Sequence, residues 1–307
     1  MKVLVFGSLN IDYVYSVEHF VQPGETISST ARQIFCGGKG LNQAIAFAKY
    51  GHDTWQAGAV GVGDSQMLLE MLQQAGVHTD FIAQKEGASG HTIIQCTPQG
   101  ENNIILFGGA NQTISKEDVD KVLGNFERGD YLILQNEINQ VPYIMEKAHN
   151  KGMYIVLNPS PMDDKIFKMP LKYVDYLILN EIEATAILQA KNLKNEAELT
   201  SEQLLDMLIR KFPDSKIVLT LGGEGAMYGD RKKRCSQGII SVKVVDTTAA
   251  GDTFTGYFMG EIINGKMPEE ALKTAAAAAA LAVSRKGAGT SIPAYAEVEK
   301  MKQEKHK

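Results

Sequence analysis

Cysteine is scarce in this 307-residue chain: Cys36, Cys96 and Cys235 stand far apart, with no C-x-x-C spacing among them. An odd, scattered set of thiols supports neither a disulfide framework nor a zinc site and fits a reducing compartment. No apolar run approaches the ~18 residues that span a bilayer. The opening run from Val3 to Phe6 is too short for a signal peptide, so a soluble cytoplasmic protein is expected. A basic excess is missing too. The formal net charge of −5 speaks against general nucleic-acid binding. One basic cluster, Arg231-Lys232-Lys233-Arg234 beside Gly229 and Asp230, reads as a solvated hairpin tip. The six histidines have no metal-ligand spacing, and no Ser-His-Asp or Cys-His arrangement is legible. Two phosphate-binding fingerprints are also absent. Gly7 is not followed by G-x-G-x-x-G, and Gly37-Gly38-Lys39-Gly40 is not a G-x-x-x-x-G-K-[ST] loop.

What is present is organised around Asp246-Thr247-Thr248-Ala249-Ala250-Gly251-Asp252-Thr253-Phe254. A β-branched run, Ile239 to Val245, precedes it, and helical spacing through Phe254, Phe258 and Ile262 follows, which predicts a strand, a turn and a helix start. Ala249, Ala250 and Gly251 leave backbone amides bare, and the first turn of a helix attracts anions. A carboxylate in such a cradle would repel a phosphate unless it has a task. Asp252 suits removal of a proton from a hydroxyl attacking phosphorus; it equally suits a helix cap.

Other candidates come in chain order. Asn10 and Asp12 lie two apart in an extended segment, so they share a face and could hold a sugar's vicinal hydroxyls. Gly37-Gly38-Lys39-Gly40 lets a ligand approach the backbone before a helix at Ala44 to Tyr50, and Asn42 sits one turn past Gly38. Runs at Tyr13–Val17 and Thr26–Thr30, and at Ile93–Cys96 and Asn103–Leu106, read as hairpin strands that form a lid, inserted at about 12–36 and 91–108, which could also dimerise.

Strand-like stretches at 53–60, 131–135, 154–157, 176–179 and 217–221 then alternate with helical ones at 65–74, 116–123, 142–150, 181–188 and 201–211. The fold expected is α/β: a doubly wound, mostly parallel sheet with helices on both faces and a small β-sheet lid, as one domain over residues 1–307. Ligands in such sheets bind beyond the C-terminal strand ends, where Glu137, Asn158, Asn180, Glu183 and the turn Thr220-Leu221-Gly222-Gly223-Glu224-Gly225 gather. Asn180 and Glu183 fit a capping box or a water-mediated hold on magnesium. The turn fits a nucleotide's approach or a plain β-turn. The alanine run Ala275–Ala280, within a helix at 268–283, suits close core packing.

Together these segments resemble the PfkB carbohydrate kinase family over nearly the whole chain. Gly37-Gly38-Lys39-Gly40 with Asn42-Gln43-Ala44 matches its first signature, and Asp246-Thr247 through Thr253-Phe254 its second. Asn10-Ile11-Asp12, Asn158-Pro159-Ser160-Pro161, Asn180-x-x-Glu183 and Arg285-Lys286-Gly287-Ala288 are similar to the branch that phosphorylates ribose. The resemblance implies transfer of the ATP γ-phosphoryl group to the 5-hydroxyl of D-ribose, with Asp252 as base and Ala249, Ala250 and Gly251 as anion hole. It implies sugar contacts from Asn10, Asp12, Gly38, Lys39, Asn42 and Glu137. Nucleotide contacts would come from Asn180, from Thr220 to Gly225, and from Gly251. Magnesium would be held through water at Asn180 and Glu183, and activating potassium at Asp246, Thr248, Ala282, Arg285, Gly287 and Ser291. A kinase for another furanose, deoxyribose, a polyol or a nucleoside is the alternative within this chemistry. A catalytically silent sugar-binding or nucleotide-binding protein is the alternative outside it.

Overall fold

The computed structural model describes residues 1–189 and 199–305. Its strands are β1 (Val3–Phe6), β2 (Asn10–Ser16), β3 (Ala31–Gly37), β4 (Thr54–Gly61), β5 (His78–Lys85), β6 (Gly90–Cys96), β7 (Asn102–Phe107), β8 (Tyr131–Leu134), β9 (Tyr154–Leu157), β10 (Tyr176–Asn180), β11 (Lys216–Thr220), β12 (Ala226–Gly229) and β13 (Arg234–Gln237). Its helices are α1 (Lys39–Tyr50), α2 (Gln66–Gln74), α3 (Lys116–Leu123), α4 (Val141–Lys151), α5 (Glu181–Ile187), α6 (Ser201–Lys211), α7 (Ala250–Ile263), α8 (Pro268–Val283) and α9 (Tyr295–Lys305).

The large sheet runs β13-β12-β11-β10-β9-β8-β1-β4-β5, parallel throughout except for the antiparallel pairs of β12 with β11 and β13. Side chains alternate across it with period two. Val3, Val5, Ile133, Val156, Ile178 and Val218 enter a core shared with α1, α7 and α8. Leu4, Phe6, Leu132, Leu134, Ile155 and Leu157 enter a second core with α3, α4, α5 and α6 on the other face. Burial on both faces is why these strands read as continuous apolar runs, each large side chain contributing about 1.5–3 kcal/mol on leaving water.

Helix α7 is buried for nearly its whole length. Gly256 and Gly260, one turn apart, let it lie almost backbone to backbone on α1: a side chain at either would collide with Ala46 or the Tyr50 ring. The buried Ala271, Ala275 and Ala278 of α8 allow equally close packing from another side. The mouth of α7 is thereby fixed against the start of α1.

The second sheet, β3-β2-β6-β7, is the predicted lid, but its strands differ from the expectation. Strand β2 pairs with Ala31–Gly37, not with Thr26–Thr30, because the register places Gly37 opposite Asn10 and Ala31 opposite Ser16. Residues 26–30 belong to the connection. The β-branched run Ile239–Val245 is not a strand either. Among the described residues no strand pairs with it; it leaves Ile239, Val244 and Val245 more than half exposed, and attaches through Val245 and Asp246 N–H groups to the Val283 carbonyl at the end of α8. Helix α1 begins at Lys39, five residues earlier than expected, since Gly38 adopts φ 95° at its cap. Strands β5, β12 and β13 and helix α9 add to the expectation; the basic cluster at 231–234 lies at the β12–β13 turn, as predicted. No helix among the described residues is long and apolar enough to cross a membrane.

Candidate active site

A cleft of about 220 Å³ opens at the C-terminal ends of β9, β10 and β11 and at the mouth of α7. It is lined by Lys39, Asn158, Asn180, Glu183, Thr220, Ala249, Ala250, Gly251 and Asp252. Ala249 sits at φ 60°, a left-handed conformation that a β-carbon disfavours by roughly 1 kcal/mol or more. That bend turns the chain into α7, and the position of Gly251 has nothing within contact of a side chain, so the amides of the first turn face open space. The helix dipole adds about half a positive charge there.

Asp252 is buried at this mouth, and its side chain does not cap the helix. Asn42 Nδ2 donates to its Oδ2 at 3.0 Å and Gln43 Nε2 to its Oδ1 at 2.9 Å. Each carboxylate oxygen thus keeps a lone pair for a further donor. Lys39 faces the same space. Burial acts to lower the pKa of its ammonium, but the carboxylates of Asp252, Glu137 and Glu183 outweigh that and hold it above the ordinary lysine value. It stays a cation.

The other end of the site is built from the lid. Asn10 is buried, and its Oδ1 accepts from Asn111 Nδ2 at 2.8 Å, so the free edge of its amide is a donor. Asp12 accepts from Thr92 Oγ1 at 2.6 Å across the β2–β6 pairing. Burial raises its pKa to about 6, opposed by the Thr92 bond and assisted by the charge of Glu137. Gly37 is required beside it, since any side chain there would meet the Asp12 carboxylate. Glu137 Oε2 accepts from the Ser8 hydroxyl and from Lys39 N at 3.0 Å, which supplies the cap that Gly38 cannot give α1. Gly38 packs on the Ser8–Asn10 backbone, where a side chain would clash.

At the β10 end of the cleft, Asn180 and Glu183 form the capping box: Asn180 Oδ1 accepts from Glu183 N at 2.9 Å and Glu183 Oε2 from Asn180 N at 3.0 Å. Both still line the cleft. Thr220 ends β11 at its rim, and Gly222 and Gly225, with φ 53° and 109°, shape the following turn through Gly223. Leu221 and Glu224 line a neighbouring hollow of about 460 Å³ instead.

The remaining set is stitched to the loop before α7. Asp246 Oδ1 accepts from Thr248 N and Oγ1, and its Oδ2 from Gly287 N, at 2.6–3.0 Å. Burial would raise its pKa, but these bonds prevail and keep it below the usual carboxylate range. The Ala282 carbonyl accepts from Arg285 N, the Arg285 guanidinium pairs with Glu297, and the Ser291 hydroxyl donates to the Ala288 carbonyl. Among the described residues, no group of three His, Cys, Asp or Glu side chains is placed to hold a metal. Ser8, Gln43, Thr92, Asn111 and Gln135 complete the site and were not singled out from the sequence as functional. All but Gln43 lie outside the two signatures, and the contacts that give them meaning span about 80 residues or more.

A carboxylate held as an acceptor, an ammonium and a bare helix mouth, facing one cleft beside a paired amide and carboxylate, define a phosphoryl-transfer site for a polyhydroxylated acceptor. A pfkB family carbohydrate kinase domain matches residues 1–295, and the chain belongs to that family. The chain is 34% identical to the ribokinase of Haemophilus influenzae over 305 residues, covering 95% of each. Among solved structures it is similar to the ribokinase of Thermotoga maritima, with a TM-score of 0.85 and 33% identity over 98% of this chain and 99% of that one. The ribokinase of Arabidopsis thaliana, solved with ribose and ATP, has a TM-score of 0.85 at 30% identity, covering 98% of both chains.

Proposed function

We propose that this chain transfers the γ-phosphoryl group of ATP to the 5-hydroxyl of D-ribose, giving ribose 5-phosphate and ADP. The observation that carries the reading is the Asp252 carboxylate, gripped by two amides at the mouth of α7 with lone pairs still available. The sugar oxygen attacks phosphorus as its proton passes to Asp252, and the bond from phosphorus to the bridging oxygen of ADP breaks. The amides of Ala249, Ala250 and Gly251 stabilise the migrating group, and Lys39 balances its charge. Asp252 acts by placement, since a loose transition state asks it only to receive the proton. Asn10 donates to one sugar hydroxyl while Asp12 accepts from its neighbour, with Gly38, Asn42 and Glu137 closing the remaining sides. Asn180, Thr220 and the turn from Leu221 to Gly225 receive the nucleotide.

Magnesium fits the cleft through water. Glu183 has one carboxylate oxygen outside its capping bond, and among the described residues no three-carboxylate cage competes for the ion. Asn180 and Glu183 would hold it, and it would neutralise phosphate charge. Potassium fits the carbonyl-rich loop pair at Asp246, Thr248, Ala282, Arg285, Gly287 and Ser291, whose ionised Asp246 supplies one hard oxygen; it would order the amides of the adjoining helix mouth. Residues 1–307 act as one domain in the cytoplasm, with the lid closing over the sugar.

Ile34, Tyr13, Ile93 and Ile105 form a row across all four lid strands on the face opposite Asp12 and Thr92. Ile34 and Ile93 are 41% exposed and Ile105 60%, a face that a second copy of the chain would cover.

The test is ADP release measured across pentoses, deoxyribose, hexoses, polyols and nucleosides, in K⁺ and in Na⁺. Ribose should give the highest kcat/KM and K⁺ the faster turnover. A nucleoside or deoxyribose favoured over ribose overturns the substrate, equal rates in the two salts remove the potassium site, and no ADP with any acceptor overturns the kinase reading.

A further inference from the structure

Beneath the cleft, two buried amides run end to end from the centre of the sheet to Asp252, and a third grips its other oxygen. Gln135, at the end of β8, donates from Nε2 to Gln43 Oε1 at 2.7 Å, and Gln43 Nε2 donates to Asp252 Oδ1 at 2.9 Å. Asn42 holds the other carboxylate oxygen from the next position on α1. Gln43 and Gln135 are essentially solvent-free. The direction of this chain follows from its last member. An ionised carboxylate only accepts, so Gln43 must turn its NH₂ towards Asp252 and its carbonyl towards Gln135, which must then present its own NH₂. The cost is visible at the far end. Gln135 Oε1 is buried with no hydrogen-bond partner, and Asn42 Oδ1 is left likewise. Such orphaned oxygens cost free energy and are rare in folded proteins. Gly7 makes room for one of them: a side chain there would collide with Gln135 Oε1. An apolar pair would fill this space without orphans, so polarity at these two positions serves the base and not the core.

We infer that Gln43 and Gln135 are positioning residues which fix the orientation of the Asp252 carboxylate, Gln135 acting through Gln43. The inference rests on the kinase reading above. Of the ionisable groups, Lys39 faces Asp252 from α1, with Glu137 after β8 and Glu183 on α5 behind it; the relay itself carries no charge. Its loss should affect the chemical step while leaving both substrate-binding surfaces intact.

The test compares wild type with Gln43→Met, Gln135→Met and Gln56→Met, measuring kcat, KM for ribose and ATP, and thermal melting. Gln56 is a fully buried amide on β4, two strands from β8, that bonds the Gly7 and Ala57 carbonyls and makes no hydrogen bond to Gln135, Gln43 or Asp252. Gln43→Met and Gln135→Met should each lower kcat about tenfold or more, with both KM values within about twofold. Gln56→Met should lower the melting temperature and leave kcat within about twofold of wild type. Wild-type kcat in both relay variants overturns the inference, as does the same loss of kcat in Gln56→Met. Gln135→Met alone decides the matter if Gln43→Met does not fold. An inactive wild type sinks the kinase reading itself, whereas an active wild type with unaffected variants sinks only the relay.

Discussion

The mouth of α7 and the four-stranded lid both supply polar groups to the site, but they hold them by different physics. At the helix mouth, Asp252 is enclosed by α1 at a distance set by Gly256 and Gly260, and amides grip both carboxylate oxygens. In the lid, Asp12 has one hydrogen bond, from Thr92, on a sheet whose outer row is substantially exposed. A group that must sit within a fraction of an ångström of a reacting atom is built into the core. A group that must admit and release a sugar is placed on a thin, incompletely covered sheet, where local opening costs less. In the proposed kinase, chemistry and selection separate along that line.

The sharpest way to break the comparison is at its rigid half. Asp252→Asn keeps the shape but removes the proton acceptor, and an amide facing Asn42 and Gln43 loses two charge-assisted bonds. Turnover should fall by roughly 10²–10⁴, the usual worth of a general base. Ribose affinity by calorimetry should stay near wild type. Unchanged turnover takes the base role from Asp252, and lost ribose binding would mean that the two regions are not separable.

The lid half predicts an effect of intermediate size, on binding alone. Asp12→Ala should weaken ribose affinity at least about tenfold by leaving sugar hydroxyls and Asn10 poorly paired. Its pH dependence follows from the burial that lifts its pKa to about 6. Because that value lies above the unfolded one of 3.8, the folded state takes up the proton more readily, and this contribution to stability is lost as pH rises through about 6. Above that pH the enzyme carries a partly buried carboxylate, beside Glu137 and the Cys36 thiol, that a sugar's hydroxyls can satisfy. KM for ribose should therefore be flat above about pH 7 and rise about tenfold per unit well below pH 6, in a free-enzyme titration that Asp12→Asn abolishes. Ribose should raise the melting temperature more at pH 8 than at pH 5. An acid limb in kcat/KM that survives in Asp12→Asn assigns the titration to another group.

The same contrast governs what the sequence discloses. The rigid half was legible because its determinants are local: small residues, a carboxylate and a helical pattern within 246–258, and Gly-Gly-Lys-Gly ahead of Asn42. The parallel sheet was legible from apolar runs of strand length alternating with helical stretches. The lid was legible only as a tendency. Thr26–Thr30 has stronger β-propensity than Ala31–Gly37, yet the strand forms where Gly37 can face Asn10, a decision made by register and not by propensity. Ile239–Val245 failed for the same reason in reverse, having propensity and no partner. Asn111 was out of reach altogether, since its role is a bond to Asn10 101 positions away in sequence.

The smallest effect on catalysis is expected where the lid turns outward, and it separates assembly from chemistry. The row Ile34–Tyr13–Ile93–Ile105 lies on the face opposite Asp12, so changing it does not touch the sugar. Ile105 is its most exposed isoleucine, on edge strand β7, where a charged side chain is well tolerated by the monomer but is costly if buried against a second copy. Ile105→Glu should therefore leave the melting of the main sheet unchanged and shift sedimentation at micromolar concentration from dimer towards monomer. Turnover should change less than about threefold, because Asp252, its amides and the helix mouth all lie in the core of the large domain. A wild type that sediments as a monomer removes the dimer from this face. A variant that remains dimeric moves the interface elsewhere, and a dissociated variant with a large loss of kcat would show that the lid's outer cover is part of what holds the base in line.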